Sequence, residues 1–140
     1  LCWCSGAFSA ACDVASGLQT DVGEALIIGP APLYQDRTCV AGQTCVLEGL
    51  LGEQLTEYDR IQVLETCGTN TYPLRFPGAA LQVDIFASGA TVSWGTAPVT
   101  ASGGDYRMCW CAAGFACSVA EHFRVDMGSL SLVGPSSFTQ

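Results

Sequence analysis

Residues 2–30 and 109–135 carry one pattern twice, and a chain that repeats a segment at such a distance folds as a unit that repeats with it. The first copy reads CWCSGAFSAACDVASGLQTDVGEALIIGP and the second CWCAAGFACSVAEHFRVDMGSLSLVGP. With a two-residue gap, Cys2, Trp3, Cys4, Cys12, Val14, Ala15, Asp21, Gly23, Gly29 and Pro30 fall on Cys109, Trp110, Cys111, Cys117, Val119, Ala120, Asp126, Gly128, Gly134 and Pro135. The period is roughly 105 residues, an ordinary domain size, so the 140 residues hold one unit and part of another. Residues 1–30 are therefore expected to be the C-terminal strands of a preceding unit, residues 31–135 one complete unit, and residues 136–140 the start of the next. Tandem duplication makes the same polypeptide the expected source of the missing strands; strand addition from another subunit is the rival.

Short apolar runs of five to eight residues alternate with Gly, Pro, Ser, Thr and Asn clusters, the pattern of an all-β chain. Strands are expected near 25–29, 43–50, 58–66, 80–87, 90–95, 105–112, 120–126 and 129–133. That number in one period suggests an immunoglobulin-like β-sandwich, with a Greek-key barrel as the alternative. In the strand 105–112, alternation sends Tyr106, Met108 and Trp110 to one face and Arg107, Cys109 and Cys111 to the other. The first trio is expected in the core, with a sugar-stacking role as the functional rival for Trp110. Residues 123–135 read as two short strands kinked at Met127-Gly128. The prolines of Pro30-Ala31-Pro32 and Pro135 suggest semi-rigid hinges between units.

Nine cysteines suit a disulfide framework in an oxidising compartment, so the protein is expected to be extracellular, secreted or at a cell surface. Residues 31–135 contain Cys39, Cys45, Cys67, Cys109, Cys111 and Cys117. Short loops select Cys39 with Cys45 and Cys111 with Cys117, which leaves Cys67 for Cys109. The repeat then pairs Cys4 with Cys12 and reserves Cys2 for a cysteine of a neighbouring unit. A metal site is not expected, since His122 is the only histidine, and Cys-x-x-Cys does not occur.

Thirteen acidic residues against five arginines, with a net charge of −8, exclude the basic face that nucleic acid requires and disfavour anionic membranes. No apolar run is long enough for membrane insertion of this segment. Catalysis would have to use His122, beside Glu121 and Arg124, and no nucleophile motif accompanies it, so no enzyme and no cofactor is expected. Asp36-Arg37, Asp59-Arg60 and Asp105-Arg107 read as solvated pairs near turns. Asn70 heads no N-glycosylation acceptor; Thr96, Ser136, Ser137 and Thr139, close to prolines, are the candidate O-glycosylation positions.

The runs Gly-Asp-Tyr-Arg-Met-Cys-Trp-Cys (104–111), Phe-Arg-Val-Asp-Met-Gly-Ser-Leu-Ser-Leu-Val-Gly-Pro (123–135) and Tyr-Asp-Arg-Ile-Gln-Val-Leu-Glu-Thr-Cys-Gly (58–68) resemble a tandem extracellular repeat. Such repeats occur in giant secreted proteins of dinoflagellates and related protists. The resemblance implies a structural role in surface fibres of the mastigoneme type, with neighbouring copies of the repeat as partners. A lectin-like or adhesin module is the other reading, with the loop 68–80 and its Tyr72, Arg75 and Phe76 as the presented surface.

Overall fold

The computed structural model describes residues 1–7 and 12–136. Its strands are β1 (Cys2–Trp3), β2 (Thr20–Asp21), β3 (Gly29–Pro30), β4 (Arg37–Val40), β5 (Val46–Leu47), β6 (Gly52–Glu53), β7 (Arg60–Leu64), β8 (Asp84–Phe86), β9 (Thr91–Ser93), β10 (Gly104–Cys111) and β11 (Val125–Val133). Three short 3-10 turns complete the regular structure, and no α-helix occurs among the described residues. The fold is all-β and disulfide-rich.

Two of the four sheets among the described residues enclose the main core. The larger has the order β4-β11-β10-β7, with β4 parallel to β11 and the remaining pairs antiparallel. The smaller has the order β5-β9-β8. Val63, Met108, Leu130 and Leu132 from the larger sheet share one apolar cluster with Leu47, Ile85 and Val92 from the smaller. Val63, Val92, Met108 and Leu130 are fully buried, each worth roughly 1.5–3 kcal/mol relative to exposure. Trp94 closes the cluster: Phe76 meets its ring edge-on at 5.5 Å, and its indole N–H donates to the Ala80 carbonyl at 2.9 Å. The bond offsets the desolvation of the buried indole N–H.

Alternation along β10 works as the pattern of residues 105–112 requires. Met108 and Trp110 lie in the main cluster and Tyr106 packs against it. The opposite face is not open to water. Cys109 and Cys111 form a second small core there with Leu64, Ala120 and Phe123. β10 is thus buried on both sides at its Cys-Trp-Cys end, and the disulfides are themselves core material.

Several strand expectations need correction. Residues 120–122 form a 3-10 turn, and β11 runs unbroken from Val125 to Val133. The expected kink is a β-bulge within that strand: Cys109 faces Asp126 and Arg107 faces Ser129, so Met127 and Gly128 together oppose Met108. Gly128, at φ 137, supplies the left-handed backbone the bulge needs. The runs 43–50 and 80–87 shrink to β5 and β8, because turns with positive φ at Gly49, Ala79, Ala80, Ala87 and Ser88 interrupt the apolar sequence, and the run 25–29 is strand only at Gly29, the first residue of β3.

The ladders also orient the unit. Arg60, Cys111 and Val125 stand at one end of the larger sheet, and Gly104, Leu132 and Val40 at the other. The chain comes in beside Trp110, where Gly29 touches the indole, and leaves after Val133 at the far end.

Candidate functional site

The repeated sequence builds the same local structure twice. Cys2 faces Asp21 across β1 and β2, as Cys109 faces Asp126 across β10 and β11. Ahead of β2 stands a 3-10 turn at Ala15–Gly17; ahead of β11 stands its counterpart at Ala120–His122. The turns carry the same bonds: Gly17 N–H donates to Val14 O at 3.0 Å and His122 N–H to Val119 O at 3.0 Å. After each strand begins, an aspartate captures the amide two residues on, Gly23 to Asp21 Oδ1 at 2.9 Å and Gly128 to Asp126 Oδ1 at 3.1 Å. Both glycines adopt positive φ, 125° and 137°, which explains why glycine stands at both positions. Disulfides close the intervening loops, Cys4–Cys12 in one copy and Cys111–Cys117 in the other.

Burial separates the copies. In the complete unit, Met108, Trp110, Phe123, Met127 and Leu132 are at most 7% exposed. Their counterparts Leu1, Trp3, Leu18, Val22 and Ile27 are 64, 55, 37, 58 and 86% exposed. The first copy thus leaves open five apolar positions that the second buries. Leaving five such side chains in water forgoes stabilisation on the order of 10 kcal/mol.

The two regions meet at a joint. Gly29 pairs with Glu53 and Pro30 with Gly52 in a short antiparallel ladder, and both Gly29 and Pro30 are buried. Ala31 N–H donates to Leu51 O at 3.0 Å. The Gln35 amide holds the same edge, Nε2 donating to Leu51 O at 2.7 Å and Oε1 accepting from Leu51 N–H at 2.7 Å. A β-carbon on Gly29 would lie 3.2 Å from both Cη2 and Cζ3 of Trp110, and one on Gly52 would meet the Gly29 carbonyl oxygen. The expected boundary between Pro30 and Ala31, with its proline hinge, falls inside this ladder. Gln35 and Gly52 had no signal in the sequence, since their importance comes from a backbone edge contributed by distant residues.

The described disulfides are Cys39–Cys45 and Cys111–Cys117, which close the short loops, Cys67–Cys109, the pair left over, and Cys4–Cys12, the repeat's copy of Cys111–Cys117. Cys2 is exposed and outside any of them. Thr96 and Ser136 are exposed; Ser137 and Thr139 lie outside the described residues. His122 sits in the 3-10 turn, its Nδ1 accepting from Ser118 N–H at 3.4 Å.

The loop 68–80 does not present its aromatic set, because Phe76 is in the core against Trp94; only Tyr72 and Arg75 stay exposed. The sequence-neighbour ion pairs also dissolve. Arg107 pairs bidentately with Asp126 across the bulge, at 2.7 and 2.8 Å. Asp59 is buried and binds two backbone amides, Thr56 and Ala113, at 2.9 Å each. Asp36 accepts from Ser129 N–H at 2.8 Å, and Asp105 from the Ser131 hydroxyl.

These contacts set the electrostatics. The Ser129 amide holds the Asp36 carboxyl below the usual carboxylate range, and the Asp126 carboxylate raises the Arg107 guanidinium further. Burial pushes the Tyr106 phenol up, and its hydroxyl donates to Ser102 O at 2.7 Å.

A cleft of about 400 Å³ lies beside the Cys111–Cys117 loop, lined by Trp110, Phe115, His122 and Arg124 among others. Its counterpart in the first copy, about 420 Å³, is lined by Trp3, Gly17, Gln19 and Thr20. The tryptophan recurs in both linings, while His122 and Arg124 are replaced by Gly17 and Gln19. Among the described residues no three His, Cys, Asp or Glu side chains gather as metal ligands, and no helix is long and apolar enough to cross a membrane. Compared with protein-family models, curated proteins and solved structures, the chain matches none.

Proposed function

We propose that this chain is a segment of an extracellular filament or surface hair, built from tandem disulfide-clamped β-sandwich units whose work is mechanical. The observation that carries the reading is the burial contrast. Five apolar positions buried in residues 108–132 are open in residues 1–27, as expected of a closing hairpin whose opening strands belong to a neighbouring unit. Cys2, the counterpart of Cys109, then takes a neighbour's counterpart of Cys67 as its disulfide partner.

The immunoglobulin-like form of the sandwich is supported by the strand orders. The last two long strands flank each other in one sheet beside β7, while β9 lies between β5 and β8 in the other. Four disulfides support an oxidising, extracellular setting. Exposed Thr96 and Ser136 remain candidates for O-linked sugar. Inlet and outlet at opposite ends of the larger sheet favour end-to-end stacking, in which force passes along the strands.

The adhesin reading loses its best surface with the burial of Phe76. Negative-stain microscopy of native material separates the two. End-to-end rows with a regular axial repeat are expected; isolated beads would favour the adhesin.

A further inference from the structure

We propose that the Gly-Pro dipeptide at the end of each unit is a through-joint: Gly134 and Pro135 seat on the next copy's counterparts of Leu51, Gly52, Glu53 and Trp110. The proposal rests on the tandem reading above and adds the surface by which one copy recognises the next.

Both faces of the joint are visible at different places in the chain. At the outlet, the dipeptide is held by its own unit. Ala41 N–H donates to Val133 O at 2.8 Å, and Gly103 N–H to Pro135 O at 2.9 Å. A β-carbon on Gly134 would lie 2.5 Å from Ala41 Cβ, and one on Gly103 would strike the Gly134 carbonyl oxygen. The other side of Gly134 and Pro135 is exposed. At the inlet, their counterparts Gly29 and Pro30 show what that side fits. They are buried, laddered on Glu53 and Gly52, and closed over Trp110.

One glycine therefore meets two surfaces that exclude a side chain, Ala41 of its own unit and Trp110 of the following one. Gly29 stands at φ 137, a backbone that other residues reach only with strain; Gly134 is not at positive φ at the outlet, so seating turns its backbone, a change glycine tolerates. The receiving edge is organised in advance, because Gln35 binds both polar backbone groups of Leu51. Proline suits the second position, where its missing N–H costs little on a two-residue edge ladder. A partner for this edge must offer a glycine that lies flat on an indole followed by a proline. The chain carries that dipeptide, correctly placed, at its own outlet. A joint of this kind transmits orientation between units, whereas a free linker does not.

The test is a fusion of residues 1–135 directly to residues 31–140, which sets Gly134-Pro135 before Ala31 as Gly29-Pro30 stand now. Amide exchange at the second copy's Ala31 is expected to be slowed on the order of a hundredfold relative to unstructured chain, matching Ala31 of the first copy. Gly134→Val should return that amide to the unstructured rate while β7 and β10 amides of both copies stay protected. Fast exchange at the second Ala31 in the unsubstituted fusion, with both copies folded, overturns the proposal.

If the fusion does not fold, Gly29→Val in the 140-residue chain serves. It should release Ala31 alone, and unchanged protection there counts against the joint. The tandem reading is judged separately by the partner of Cys2 in the natural protein. A free joint with Cys2 bonded to a preceding unit removes the joint and leaves the array; the converse removes the array and leaves the joint.

Discussion

Gly29 lies against the six-membered ring of Trp110, so close that a β-carbon would stand 3.2 Å from two ring carbons. The contact joins the end of one repeat copy to the motif tryptophan of the other. Trp110 Nε1 is buried there and has no acceptor among the described residues.

The two core tryptophans should accordingly respond differently to Phe. Trp94→Phe leaves the Ala80 carbonyl without its donor as well as opening a cavity, and should cost about 2–3 kcal/mol. Trp110→Phe loses volume but no hydrogen bond, and should cost about 1 kcal/mol less. Denaturant midpoints at constant m-value measure the difference.

Leu132 and Ile27 occupy the same place in the repeat with opposite burial, 3 and 86% exposed. Leu132→Ala should destabilise the unit by about 2–5 kcal/mol. Ile27→Ala should leave the unfolding transition of residues 31–135 unmoved within error and reduce binding of an apolar dye.

Disulfide removal should follow loop length. Replacing Cys67 and Cys109 with Ala opens a sequence separation of 42 and should cost about 4 kcal/mol, before any loss from the small core around Cys109. The Cys39 and Cys45 double variant opens a separation of 6 and should cost about 2 kcal/mol. Thermal unfolding of the two variants ranks them, and a larger loss for the short loop would contradict the entropic origin.

Asp36 supplies a pH-dependent contribution. Its folded-state pKa lies below the ordinary 3.8 because it accepts the Ser129 amide. Its stabilisation is therefore present above about pH 4 and lost as the pH falls through the lower folded value. Asp36 is fully solvent-exposed, so the effect is small, and Asp36→Asn should lower the neutral plateau slightly and flatten the acid limb of the stability profile. A carboxyl titration by NMR that placed Asp36 above 3.8 would reverse the sign.

Legibility in the sequence tracked the range of each interaction. The alternation of Tyr106, Met108 and Trp110 could be read directly because a strand's period is local. The short disulfide loops and the Cys67–Cys109 remainder followed from spacing. Asp105 and Asp59 look paired with nearby arginines in the sequence because their partners, Ser131 and the amides of Thr56 and Ala113, lie across ladders or loops. Phe76 looked like a loop aromatic until Trp94 supplied its neighbour. Gly29-Pro30 resembles a hinge in composition, and only the remote edge at Leu51–Glu53 turns it into a ladder.

The central claim, that residues 1–30 close a neighbouring unit, is tested most directly by the partner of Cys2. Peptide mapping of the unreduced natural protein should link Cys2 to a cysteine placed in a preceding unit as Cys67 is placed in this one. Cys2 found as a free thiol, or joined to Cys2 of another chain, would contradict it.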